Sequence, residues 1–99
     1  TRRLMIYRYS SIINIVSVIT MKISEAIAQR IINLCDSKNI SIDKLAIMSG
    51  LTQSTVQSII SGKSKNPKLL TIVRICDSLD IRLEEFFTDK LFYNLDIEL

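Results

Sequence analysis

The chain has no histidine and no tryptophan, and only one proline, two glycines and two cysteines in 99 residues. Without histidine it lacks the commonest general base near neutral pH. No paired carboxylates stand in a recognisable catalytic setting, and there is neither a nucleophile elbow nor a phosphate loop. An enzyme is therefore not expected. Cys35 and Cys76 fall in apolar helical patterns and not at metal-ligand spacing. No zinc site and no other cofactor is expected, and the two thiols read as small buried hydrophobes in a reducing cytosol, not as a disulfide. No apolar run is long enough to span a membrane. The Asn39-Ile40-Ser41 sequon reads as a helix end, because nothing else points to secretion.

One length of chain also lacks acids. From Lys44 to Arg74 there are five bases and no acidic residue, whereas Asp77 to Leu99 holds seven acids against Arg82 and Lys90. The net charge of +3 equals the excess carried by Arg2, Arg3 and Arg8, since residues 1–20 contain no acid. A nearly neutral body with one basic segment suits a polyanion met by one face. The length fits a single domain able to build a core without disulfides or metal.

Residues 1–20 differ from the rest of the chain. Ile12–Ile19 has six β-branched apolar residues and no charge, which favours a strand, although Ile12, Ile15, Val16 and Ile19 also fit one helix face. Basic residues ahead of an apolar run resemble a signal peptide, but no small-residue cleavage site comes after them. The segment is read as an N-terminal extension, either upstream translated sequence or an arm that packs on a partner subunit. Left uncovered, it is an aggregation hazard.

From Ser24 the pattern becomes helical. Ser24 is expected to cap a first helix with Ile27, Ile31, Leu34 and Cys35 inward, ending near Lys38 with Asn39 left-handed. Ser41 caps a second helix, with Leu45, Ala46 and Met48 inward, and Gly50 stops it. Thr52 caps a third, running to Ser61 with Val56, Ile59 and Ile60 inward, and Gly62 ends it. Pro67 suits the linker to a fourth helix, Lys68 to Leu79, with Leu69, Ile72, Val73, Cys76 and Leu79 on its apolar stripe. A short fifth helix places Leu83, Phe86 and Phe87 inward, and residues 90–99 read as a tail that is a docked strand, a docked helix or frayed. The fold class is all-α. The expected division is 1–20 extension, 21–89 domain and 90–99 tail.

Only Ser49, Gly50 and Leu51 separate the second apolar pattern from the Thr52 cap. So short a link fits two short helices meeting steeply, the helix-turn-helix arrangement. The exposed face of the third helix then has a purpose. Gln53 and Gln57 can each give and accept a hydrogen bond, which matches adenine N6 and N7 in the major groove. Ser54 and Ser58 are short enough to let the backbone approach base edges. Lys63, Lys65 and Lys68 come next as phosphate-binding point charges, and an acid among them would repel phosphate.

The stretches "RIINLCDSKNIS", "DKLAIMSGLTQSTVQSIISGKSKNP" and "LLTIVRICDSLDIRLEEFF" resemble the phage-repressor and Cro-like (XRE-type) helix-turn-helix family from Arg30 to Phe87. The resemblance rests on Leu45-Ala46, Gly50, Ser54-Thr55, Gly62-Lys63 and Pro67. It implies a compact five-helix, lambda-repressor-like domain that binds double-stranded DNA, usually as a homodimer, in the cytoplasm. By that resemblance Gln53, Ser54, Gln57 and Ser58 fall on base-reading positions. Ser41, Thr52, Ser61, Lys63 and Lys65 fall on or near phosphate-contacting ones, which Lys68 adjoins. The sequence departs from the family at four places: Arg82 replaces a Ser/Thr cap, Asp80 a glycine, Lys44 a capping-box acid, and Ile60 with Cys35 an ion pair. The recognition face also lacks arginine, the commonest guanine reader.

Two functions compete. One is a DNA-binding transcriptional regulator, a repressor on a palindromic operator. The other is an antitoxin-like module that docks a protein partner through the apolar terminal segments.

Overall fold

The computed structural model describes residues 21–97, and the readings made for residues 1–20 lie outside them. Among the described residues there are five α-helices: α1 Ile23–Lys38, α2 Ile42–Ser49, α3 Gln53–Ile60, α4 Leu69–Ser78 and α5 Leu83–Phe86. A 3-10 helix follows at Lys90–Phe92. Among the described residues no strand forms, only an isolated parallel bridge between Met21 and Leu95.

The helix ends follow the local chemistry. Ser41 Oγ accepts from the Lys44 amide at 3.0 Å, and Thr52 Oγ1 accepts from the Thr55 amide at 3.1 Å. Each supplies one of the acceptors that a helix N-terminus lacks. At the other ends Asn39 (φ 56°), Gly50 (φ 68°) and Gly62 (φ 82°) turn left-handed. Asp80 does the same at φ 56°, in the place where the family resemblance puts glycine. Arg82 gives α5 no side-chain cap; its Nε pairs instead with Glu84 Oε1 at 2.6 Å.

The start of α1 differs from the expectation. Lys22, not Ser24, stands at the cap position, and Glu25 Oε1 accepts from the Lys22 amide at 2.9 Å. Ser24 is buried within the first turn. The carboxylate at the third helical position does the capping that the serine was expected to do, so the helix starts two residues earlier.

Ala26, Ile31, Leu45, Val56, Ile72, Ile75 and Phe86 are all within 1 % of full burial, and Cys35, Cys76, Leu79 and Ile59 lie in the same core. Ile60 packs at its edge, so Cys35 and Ile60 contribute apolar surface where the family resemblance puts an ion pair. Helix α1 packs on α2, α3 and the 3-10 helix, α2 packs on α3 and α4, and α4 on α5. The tail is docked: Phe92 is buried, with its ring 5.1 Å from that of Phe87.

Three residues expected inward are not. Met48 is 44 % exposed, Leu69 61 % and Val73 39 %, and Ile47 and Leu70 are exposed as well. Eight- and ten-residue helices have room for only two or three core positions each, and Leu45, Ala46, Ile72, Ile75 and Cys76 fill them.

Arg30 ties α1 to the end of α5. Its Nε donates to the Phe86 carbonyl at 2.8 Å, its Nη2 to the Glu85 carbonyl at 3.0 Å, and its Nη1 pairs with Asp89 at 3.2 Å. The Phe86 carbonyl has no backbone donor at the end of this four-residue helix, whereas the Glu85 carbonyl also accepts from the Thr88 amide at 3.3 Å.

Candidate nucleic-acid interface

Helix α3 is eight residues long, or about 12 Å. Val56 and Ile59 anchor it in the core, which turns Gln53, Ser54 and Gln57 to solvent. Gln53 and Gln57 are one helical turn apart and so share a face. Neither amide group bonds to another described residue. Ser58 is only half-buried, and its carbonyl accepts from the Ser61 hydroxyl and from the Ser64 amide. Its side chain therefore stands at the margin of the exposed face, behind Ser54.

The N-terminus of α3 is a closed polar knot. Thr52 Oγ1 lies 2.8 Å from Thr55 Oγ1 and 3.2 Å from Ser54 Oγ, besides accepting the Thr55 amide. That hydroxyl has its full valence of partners within the chain. A phosphate contact by Thr52 thus needs either its backbone or the exchange of one local bond. Ser61 is exposed at the opposite end, and Ser41 is exposed as the cap of the preceding helix, α2.

Lys63, Lys65 and Lys68 are all exposed in or at the end of the loop that joins α3 to α4, and Lys68 is the α4 cap residue. None pairs with a described acid. Left-handed Gly62 reverses the chain after Ser61 and sets this loop beyond the end of α3. Lys65 stands somewhat apart, for it also lines a groove with Ile23, Leu95 and Ile97. Lys44 and Arg74, the first and last bases of the acid-free run, are exposed too and pair with no described acid. Lys44, which stands where the family resemblance puts a capping acid, sits in the first turn of α2 and becomes a further candidate for phosphate. Its signal is the run itself: a base with no acid in the thirty-two residues after it.

The described residues hold no cluster of side chains at metal-binding spacing, and none of their helices is long and apolar enough to cross a membrane. Burial pushes the thiols of Cys35 and Cys76 up from their ordinary value, Asp36 adding to the effect at Cys35. Both are neutral and withdrawn from the surface.

Two comparisons bear on this arrangement. The family model of the Cro/C1-type HTH DNA-binding domain matches residues 30–90. The prophage Lp1 protein 11, known from a crystal structure, superposes with a TM-score of 0.68 at 30% identity, over 74% of this chain and 96% of that one. No curated protein matches the sequence. The match runs from the Arg30 staple through the capped helix pair to the 3-10 helix, and covers well over half of the chain. The chain belongs to the Cro/C1-type helix-turn-helix DNA-binding family.

Proposed function

We propose that the protein is a sequence-specific transcriptional regulator, most simply a repressor, that binds a palindromic operator as a homodimer. One observation carries this reading. Helix α3 presents Gln53 and Gln57 with side-chain amides that bond to no described residue, and three lysines with no described acidic partner follow within eleven residues of Gln57. A face kept only wet is better built from Glu, Lys or Ala, which favour helix more than Gln-Ser pairs. In this reading Gln53, Ser54, Gln57 and Ser58 read bases, while Ser41, Thr52, Ser61, Lys63, Lys65 and Lys68 hold phosphates. Residues 21–89 are the DNA-binding domain, the protein is cytoplasmic and non-enzymatic, and the two half-sites lie about 34–36 Å apart.

The test is selection from random duplex DNA, followed by salt titration of the winners. Gln53→Ala should relax discrimination at one A·T pair by about 1–3 kcal/mol and leave the salt slope alone. Lys63→Ala should weaken all sequences alike and flatten the slope by about 0.9 for each protomer. Loss of only non-specific binding in both variants would remove Gln53 from the reading face.

A second reading has its own observation. Ile47, Leu69 and Leu70 are each more than 60 % exposed on α2 and α4, which suits a chain that docks a protein partner. That reading predicts weak DNA binding with no enriched motif, and a chain that aggregates until a neighbour-encoded protein is co-expressed.

A further inference from the structure

Ser24 is 3 % exposed, the one buried polar residue among those described. Its hydroxyl bonds to no described residue. Nor is that hydroxyl sealed in the core, since no described side-chain oxygen or nitrogen is both enclosed and without a partner. It opens instead on a groove of about 430 Å³ that Ser24 lines at the start of α1.

Other donors meet it there. The first donor of the α1 ladder is the Ala26 amide, which bonds to the Lys22 carbonyl at 2.9 Å, so the amides of Ile23 and Ser24 have no acceptor within the helix. The Glu25 carboxylate caps from outside, taking the Lys22 amide and neither of these two. Lys65 and Asn66, both exposed, line the same groove from the loop between α3 and α4, and neither side chain bonds to a described residue. Lys22 lines it too, with a contact of its own. One group opposes an anion: Asp96 also lines the groove, with its amide held by the Met21 carbonyl at 2.8 Å and its carboxylate exposed. Lys65 offsets that charge, and the hydroxyl and amides add donors without adding charge. Several donors at the positive end of a sixteen-residue helix suit a phosphate, whose free oxygens only accept. Ile23, Leu95 and Ile97 give the groove apolar walls that fit the sugar beside a backbone phosphate.

We propose that Ser24, the Ile23 and Ser24 amides, Asn66 and Lys65 form a binding site for one phosphate group, supplied by the DNA backbone or by a free phosphate ion. With DNA as the source, the site rests on the operator-binding reading above and extends it, because the phosphate gripped by Lys65 is gripped from the start of α1 as well. A buried hydroxyl without a partner in the chain costs stability, and the phosphate is the acceptor that returns it.

The test uses the full chain and selected duplex DNA. Ser24→Ala removes one charge-assisted hydrogen bond and should weaken binding about 10-fold for each protomer, all sequences alike. No charge is lost, so the salt slope should hold. Lys65→Ala should flatten the slope, and the double variant should lose less than the product of the two single losses, since both groups hold one phosphate. Asp96→Asn should tighten binding, with its backbone bond to Met21 untouched. Urea unfolding without DNA guards against a structural role for the hydroxyl. Alanine favours helix over serine, so Ser24→Ala should be no less stable than wild type, and a less stable variant would overturn the site. Titration with inorganic phosphate, followed through the Ser24 and Asn66 amide chemical shifts, separates the two sources. Shifts that Ser24→Ala abolishes while DNA affinity stays the same assign the site to the free ion. Weakened DNA binding without such shifts assigns it to the backbone. If Ser24→Ala alters neither, the site is overturned, and an operator still recovered by selection leaves the proposed function standing. Selection that enriches no sequence sinks the operator reading alone, and the phosphate titration then decides the site.

Discussion

Replacing Arg30 with methionine keeps most of the buried stem but removes the guanidinium. The side chain is 15 % exposed, so its bonds are largely shielded from water. The bond to the Phe86 carbonyl, 2.8 Å from Nε, is the strongest. A charge-assisted bond of this kind contributes about 1.5 kcal/mol at the lower end of its range. The Glu85 carbonyl lies at a more exposed site and can turn to water, so its loss costs about 0.5 kcal/mol. Asp89, one-third exposed, contributes about 0.5 kcal/mol as a partly solvated ion pair. The guanidinium also lies 5.9 Å from the Phe86 ring centroid, worth about 0.5 kcal/mol. Together these give about 3 kcal/mol, or 2–4 allowing for coupling within one cluster. In a domain of this size a loss of about 3 kcal/mol lowers Tm by roughly 12–24 °C. Urea unfolding followed by circular dichroism measures it directly. Arg30→Lys, which keeps the charge and loses the fork, should fall about midway. A loss below about 1 kcal/mol for Arg30→Met would mean that the α5 carbonyls find other partners, and that the staple is not what holds the C-terminal part on α1.

Asp80→Gly should stabilise the protein by about 0.5–1 kcal/mol, because Asp80 sits at φ 56° with a side chain that resists it. Gly62→Ala should cost about 1 kcal/mol through the backbone alone, since a Cβ there meets nothing within 4 Å at φ +82°. Equilibrium unfolding of the pair gives opposite signs if the left-handed turns are set as described. Stability should be fully present below about pH 9 and fall as the pH rises further: the buried Cys35 and Cys76 thiols keep their protons to higher pH in the folded chain than in the unfolded one, whose ordinary value is 9.0. A Cys35→Ala, Cys76→Ala double variant should show a shallower alkaline decline, and an equal decline in both proteins would assign it to other groups.

The helix plan was legible because its signals are local. Ser41, Thr52, Gly50, Gly62 and Asn39 act through bonds and dihedral angles within a few residues of themselves, and each sits at the end expected for it. The acid-free run and the Gln-Ser face were legible for the same reason. The cap of α1 was misread because two local solutions were available. Ser24 and Glu25 can both serve a helix start, and burial of Ser24 selects the carboxylate. Met48, Leu69 and Val73 were misplaced because a stripe of apolar residues gives a helix's inward direction only to within a side chain or two. Neighbouring helices decide where the stripe ends.

The sequence by itself determined the five helices of residues 21–97, their stops, and which helix face carries bidentate amides instead of charge. These come from spacing, capping and composition, which every chain segment carries with it. Only the tertiary structure decided that Arg30 closes the end of α5 fifty-six residues away, that Thr52 spends its hydroxyl on its own helix, and that the tail docks through Phe92 and bridges Leu95 to Met21. Each of those depends on which distant groups meet once the core closes. A buried carbonyl must find a donor wherever the fold brings one, and no pattern along the chain records where that will be.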